Sequence, residues 1–388
     1  MKKILSIVLG ILLCVGCIFA ESDAQSQSNT MFNDTINREA EDFVTVSLLT
    51  SEPIKGLFSP FGHTAIRLQC PTFDLDYVFH YIMIRAEGSG NETLSYIVGA
   101  FDVRLIADSF ATYIHDNELK HRGIKEYPLN LRPLEEQKLW RILDEEMMRE
   151  KSIQYDFFKK GCAVIMAEMV EKAIGYGSLD YSIANPFFNY PQYEVIARQL
   201  KGMPWISFIM STATYGYTNL SYQSKLQAPE QLASVWQNTM VGGRKLASGE
   251  RILSKHWYYE ENNYFTPIRV AILVLMISLI SLFVRKDYLD YIILIIYGLM
   301  ALFVLGISLI GFSYVRWNYL LIPFNLLPFV CWHWRRYWAL PYAGLLLLWC
   351  LAVLFIPHLL ADATHVILAM AFAIVLIKQA QISSKALK

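Results

Sequence analysis

The chain has 388 residues, 54% of them hydrophobic, and its 34 basic side chains balance its 34 acidic ones. That length suits two folded units rather than one small domain. With no basic excess and no motif of that class, nothing in the sequence asks for a nucleic-acid partner.

The apolar residues are unevenly spread. Residues 30–265 are mixed, whereas residues 267–377 are almost wholly apolar. At the start, "MKKILSIVLGILLCVGCIFAESDAQS" places two lysines before an apolar run from Ile4 to Ala20. This is the layout of a secretory signal, and an uncleaved anchor fits the same residues. Residues 21–41 are rich in Ser, Asn and Gln and read as a flexible tether.

"HTAIRLQ" and "DLDYVFHYIMI" (74–84) alternate like two strands, separated by the turn region "CPTF". "EYPLNLRPLEEQKLWRILDEEMMREKS" passes from a short strand into a helix. Pro133 suits its first turn, and Leu139, Ile142, Leu143 and Met147 recur on one face. "CAVIMAEMVEKAIG" predicts a second helix with Gly161 at its entry, Gly175 at its exit, and Glu168, Glu171 and Lys172 on a wet side. Residues 238–253 read as a hairpin turned on Gly242–Gly243.

A membrane-spanning helix takes about 20 apolar residues. Five segments qualify: 267–284, 288–312, 317–334, 339–357 and 359–377. "RKD" (285–287), "RR" (335–336), Lys378, Lys385 and Lys388 follow the first, third and fifth. The bias of Lys and Arg toward cytoplasmic loops puts these on the inside and residues 21–265 outside. Asn318, Asn325, His333, His358, Asp362 and His365 fall near segment ends, where interfacial anchoring accounts for them.

Chemistry points to Cys162 and His63. Cys162 stands at the first turn of the second helix, where unpaired N–H groups carry partial positive charge. That environment favours the nucleophilic thiolate and can hold an oxyanion. Lys159 and Lys160 add positive potential. His63, opening the strand after the turn "SPFG", is placed to act as general base. His80, on the next strand about 4.8 Å away, is the candidate to fix its tautomer. Two other readings stand beside this one. Cys70 and Cys162, the only cysteines of residues 42–265, could pair as a disulfide in an oxidising compartment, or Cys162 and His63 could simply pack.

"SPFGHTAIRL", "DYVFHY", "YPLNLRPLEEQKLWRIL", "YDFFKKGC" and "MPWISF" resemble, in order, the periplasmic domain of the Lnb family, the lipoprotein N-acyltransferases of Bacteroides-type bacteria. The resemblance spans roughly residues 45–255. The order His, polar residue, Cys also resembles the circularly permuted papain-like superfamily, whose lecithin:retinol acyltransferase branch works through a cysteine thioester. The family's Phe-Gly-His block lands on Phe61, Gly62 and His63. Its nucleophile block lands on Tyr155 to Phe158 and on Gly161, Cys162 and Ala163. The sequence departs from it at Gly161 in place of Asn, at Val164 and Ile165 in place of Thr-Arg, at His80 in place of Asn, and at Ile82 in place of Gly.

The resemblance implies a fold: an α+β, permuted papain-like extracytoplasmic domain over residues 42–265, followed by an all-α multi-pass membrane domain over residues 266–388. It also implies an enzyme of the inner membrane with its N-terminal domain in the periplasm. Cys162, with His63 as base and His80 as orienter, would take an acyl chain from a phospholipid as a thioester. The acyl chain would then pass to the N-terminal amine of a diacylglyceryl-cysteine lipoprotein. No cofactor is called for, and no His/Cys/Asp cluster demands a metal. A periplasmic cysteine peptidase or amidase, and a non-catalytic lipid-binding scaffold, are the alternatives.

Overall fold

The computed structural model describes residues 44–53, 61–84, 101–149, 151–155, 160–175, 179, 200, 202–214, 228–255, 264–284, 287–309, 327–355 and 363–385. Every described residue lies in one compact unit, Ala40–Lys388. The expected signal segment and tether lie outside the described residues.

In chain order the strands are β1 (Thr45–Ser51), β2 (His63–Cys70), β3 (Leu75–Ile84), β4 (Asp102–Ser109), β5 (Ile124–Pro128), β6 (Ile153–Gln154), β7 (Met240–Val241), β8 (Arg244–Lys245) and β9 (Arg251–Ser254). Seven of them form one antiparallel sheet in the order β6-β4-β3-β2-β1-β5-β9. The helices of this part are α1 (Phe110–Leu119), α2 (Pro133–Met148), α3 (Cys162–Ile174), α4 (Pro204–Thr214) and α5 (Pro229–Asn238).

Strand alternation assigns each face. Ile66, Leu68 and Cys70 of β2 point with Phe79 and Tyr81 of β3 toward a large core capped by α2, α3 and α5. Leu139 and Leu143 enter it from α2, and Trp236, wholly buried, enters from α5. The opposite face carries Leu49, Ala65, Val78 and Ile124, covered by Tyr113 of α1. Also on this face, Arg67 is held by Asp76 at 2.6 Å and Glu126 at 2.9 Å. A buried guanidinium needs such partners, because an unpaired charge out of water is costly.

Two expectations change here. Glu171 of α3 is buried rather than on a wet side, because α2, α5 and β2 together enclose that helix. The hairpin on Gly242–Gly243 shrinks to β7 and β8, and β9 leaves it to pair with β5 at the sheet edge. Both turn glycines hold positive φ, 53° and 81°, which a side chain would oppose.

The C-terminal part comprises α6 (Pro267–Ser281), α7 (Tyr288–Leu309), a short α8 (Leu327–Val330), α9 (Arg335–Phe355) and α10 (Ala363–Lys385). Tyr337–Phe355 and Ala363–Ser384 are long and apolar enough to cross a membrane, and Pro267–Ser281 and Tyr288–Leu302 are shorter apolar helices. The expected span 317–334 lies largely outside the described residues. Its described end is α8 followed by a 3-10 turn at Trp332–Trp334. Helix α9 begins at 335 rather than 339, and α10, described from Ala363, continues past 377 to Lys385.

The reason for that extension is electrostatic. Lys378, expected as a loop charge, is buried, with its Nζ 2.9 Å from the carboxylate of Asp290 at the start of α7. Gln379 donates to the same carboxylate, and Asp290 is 0% exposed. Such a pair is satisfied only while α10 remains helical beside α7. At the other end of the bundle, α4 lies against the first turns. Trp205 stacks on Phe265 at 5.2 Å and donates its Nε1–H to the Phe265 carbonyl, just before α6. His365, in the first turn of α10, stacks on Phe208 at 5.0 Å and meets the Thr212 hydroxyl through Nε2 at 2.8 Å. His365 is therefore held inside the protein rather than at an interface.

Losing one partner of a buried ion pair costs more than losing both. Asp290→Leu or Lys378→Met alone should destabilise the detergent-solubilised protein by about 3–5 kcal/mol. The double variant should recover much of this loss, as read by thermal melting.

Candidate functional site

His63 is fixed by its two predecessors. Gly62 holds φ 83°, and a Cβ there would stand 2.2 Å from the Ser51 carbonyl oxygen. Only glycine lets the chain turn so closely under β1 and enter β2. Phe61 reaches the other way and packs in the apolar cluster of the C-terminal helices, with Leu200 and Met203. His63 thus begins β2 two residues after the chain leaves the helical bundle.

His63, His80 and Asp108 form a diagonal row across β2, β3 and β4. Ala65 pairs with His80, and Val78 pairs with Asp108, so the three side chains share the α1 face. His63 Nε2 lies 3.3 Å from His80 Nδ1, and His80 Nε2 lies 2.9 Å from Asp108 Oδ2. The two imidazoles meet edge to face at 5.4 Å, and the Tyr113 ring lies 5.2 Å from His80. The Tyr113 hydroxyl is in turn 2.9 Å from Ser51 Oγ.

The carboxylate sets the protons of the whole row. Asp108 accepts, so His80 Nε2 donates. In a neutral ring the other nitrogen then accepts, so His80 Nδ1 receives the Nε2–H of His63. A neutral His63 is left with its Nδ1 lone pair free of that row, and this is the nitrogen able to take a proton. Burial holds His63 well below the usual imidazole range, and the nearby His80, Arg122 and Lys120 act in the same direction. Burial also lowers His80, with Asp108 opposing.

Cys162 arrives from the other layer. It is the first residue of α3, after Gly161, whose φ of −75° and ψ of 161° set an extended cap with no side-chain bond. The first helical bond runs from the Ile165 N–H to the Gly161 carbonyl, so the N–H groups of Cys162, Ala163 and Val164 precede the helical ladder. The β2–β3 ladder stops at Ala65 and His80, while β3 continues along β4. The sulfur comes to β2 where that ladder opens. It is faced by the N–H of Thr64, with the Thr64 hydroxyl beside it, and by the N–H groups of Ala163 and Cys162.

The structure therefore joins His63 to His80, and joins Cys162 to Thr64, the next residue along β2. Among the described residues no hydrogen bond links the sulfur to His63 directly. Burial pushes the Cys162 thiol up, and the Thr64, Ala163 and Cys162 N–H groups only partly offset this. The thiolate expected from the helix terminus is thus overturned, because desolvation outweighs the terminal dipole. Both directions favour a thiol and a neutral imidazole at rest. Lys159 lies outside the described residues, and Lys160 is exposed and acts on Glu168 instead.

Cys70 and Cys162 are both free thiols. They stand at opposite ends of β2, some 20 Å of strand apart at about 3.3 Å per residue, beyond the reach of a disulfide. Among the described residues no group of His, Cys, Asp and Glu is arranged to hold a metal. Asp108, Thr64, Tyr113 and Arg122 were not singled out by the sequence. For Asp108 the one available signal was an acidic residue near the end of an alternating run, "DVRLIADS".

Residues 34–196, less than half of the chain, match the family described as the Lnb N-terminal periplasmic domain. No curated protein and no solved structure matches the chain.

A raised thiol has a clear signature. Iodoacetamide reacts with thiolate, so the alkylation rate of Cys162 should keep climbing above pH 9. A plateau reached by pH 6 would mean a preformed thiolate–imidazolium pair instead.

Proposed function

We propose, since residues 34–196 belong to the Lnb N-terminal periplasmic domain family, that this lipoprotein-processing protein is an N-acyltransferase working through a thioester on Cys162. The observation that carries this reading is the His63–His80–Asp108 row, which leaves one imidazole nitrogen basic at the strand end where Cys162 enters.

The reaction has two halves. As substrate closes on the site, His63 Nδ1 takes the Cys162 proton and the sulfur attacks an ester carbonyl of a phospholipid. The carbonyl oxygen becomes an oxyanion, held by N–H groups of the first α3 turn. Because Gly161 contributes no side chain, these donors are backbone alone. The carbon–oxygen bond breaks, His63 returns its proton to the leaving lysophospholipid, and the acyl group stays on sulfur. In the second half the α-amine of a diacylglyceryl-cysteine lipoprotein attacks the thioester. His63 accepts a proton from the nitrogen, the carbon–sulfur bond breaks, and the sulfur is reprotonated. The amide product is more stable than the thioester, which draws the sequence forward.

Both substrates live in a bilayer, and the C-terminal helices fit that setting. Leu345, Leu348, Leu351 and Leu354 of α9 and Ile292 and Leu299 of α7 are exposed. An exposed apolar surface of this extent suits lipid rather than water. The charges at 285–287 and 335–336 mark the inner side. Asp290 and Lys378 then lie at the inner end, and α4 with the start of α10 at the outer end. The sheet domain stands in the periplasm above the outer leaflet. A hydrolase would need only tethering, whereas here the His63 turn is anchored through Phe61 in the helical cluster itself.

Incubation with phospholipid carrying a radiolabelled acyl chain should transfer label to the protein, and Cys162→Ala should abolish it. His63→Ala should slow labelling by at least about a hundredfold, the usual contribution of a general base. Release of free fatty acid or cleaved peptide without any protein-bound label would favour hydrolysis.

A further inference from the structure

One cation beside the site makes no ion pair among the described residues. Arg122 follows α1, where its N–H bonds the Asn117 carbonyl at 2.9 Å after His121 adopts φ 53°. Two residues later β5 begins, and its first residue, Ile124, pairs with Ser51, which pairs on its other side with His63. The sheet register therefore brings Arg122 to the same end as His63, two strands across. Its side chain is half-buried, and its Nε is buried with no hydrogen-bond partner among the described residues. Its charge is felt by Tyr113, Cys162 and His63. None of these three supplies a counter-charge at rest. Cys162 is a thiol, Tyr113 is pushed up to about 12 chiefly by burial, and His63 is neutral. Lys120, exposed two residues earlier, adds a second positive charge felt by both imidazoles.

A partly desolvated guanidinium without a partner is costly, and the cost is recovered when an oxyanion binds. The planar fork of Arg matches the two free oxygens of a phosphodiester. In a glycerophospholipid that phosphodiester lies only a few bonds from the acyl ester carbonyls. We propose that Arg122, with Lys120 at the rim, is the phosphate-binding subsite for the acyl donor, holding the headgroup phosphate while the ester carbonyl lies at Cys162. This rests on the acyl-transfer reading for the identity of the donor. It accounts for how a phospholipid would be selected over a neutral glyceride whose chains are the same.

The test uses the full-length Cys162→Ser protein in neutral detergent, which can bind donor without turning it over. Short-chain phosphatidylglycerol, the matching diacylglycerol and inorganic phosphate are each titrated by calorimetry. The phospholipid should bind at least tenfold more tightly than the diacylglycerol, with inorganic phosphate weaker than the phospholipid because it brings no chains. Adding Arg122→Gln should erase the gap between phospholipid and diacylglycerol, and Arg122→Lys, which keeps the charge but not the fork, should restore part of it. No gap in the parent protein, or a gap that survives Arg122→Gln in a protein that melts normally, overturns the subsite. Acyl labelling of Cys162 separates the two ideas. Labelled protein with a surviving gap defeats only Arg122, whereas a lost gap without labelling keeps the phosphate subsite and defeats the transfer reaction.

Discussion

The site depends on one short polar contact, the 2.9 Å approach of His80 Nε2 to the Asp108 carboxylate. An imidazole has two nitrogens, and without an external constraint either can carry the proton. Asp108 removes that freedom for His80, and His80 removes it for His63. A carboxylate two strands from the one that carries His63, the proposed base, thus sets which nitrogen of His63 keeps its lone pair. The cost is that two half-buried histidines stand side by side, and desolvation lowers the pKa of both. A neutral row is consistent with a thiol at rest. In the proposed reaction the proton moves only when substrate arrives, so no ion pair has to be stored in a desolvated pocket.

A second constraint joins this chemistry to the helices. Phe61, Gly62 and His63 are consecutive and point to three different requirements. Phe61 seats in the bundle's apolar cluster, Gly62 permits a turn against the Ser51 carbonyl that no side chain allows, and His63 opens the strand. Helix α4 makes a second attachment through Phe208, Thr212 and Trp205 at the starts of α10 and α6. The His63 turn is thereby positioned from the sheet on one side and from the helical bundle on the other.

How much of this was legible in the sequence depended on whether the signal was local. Strands β2 and β3 alternate cleanly and helices α2 and α3 carry apolar stripes, so β2, β3, α3 and the start of α2 at Pro133 were found within a residue or two. Cys162, His63 and His80 followed from a helix start and two strands. Strand β4 and helix α1 were missed, and Asp108 with them. The buried residues of α1 are Tyr113 and Asn117, one aromatic and one amide, which make no apolar stripe. Helix α5 was missed because its buried face mixes Pro229 and Gln231 with Leu232, Val235 and the wholly buried Trp236, which makes no clean apolar stripe. Glu171 and Lys378 read as solvent charges because burial depends on neighbours distant in the chain. The thiolate expectation failed for a similar reason. A helix terminus is a local feature, but the desolvation that outweighs it comes from the packing of α3 against β2. Arg122 shows in sequence only as a charge in a turn, and the register of β5 against β1 is what brings it to the site.

The most direct measurement is the protonation state of each His63 nitrogen, read by nitrogen-15 NMR of histidine-labelled protein near neutral pH. The account predicts a proton on Nε2 and a bare Nδ1, with the assignment reversed in Asp108→Asn, where an amide can donate to His80 instead of accepting. A wild-type His63 with its proton on Nδ1, or one unaffected by Asp108→Asn, would contradict the account at its base.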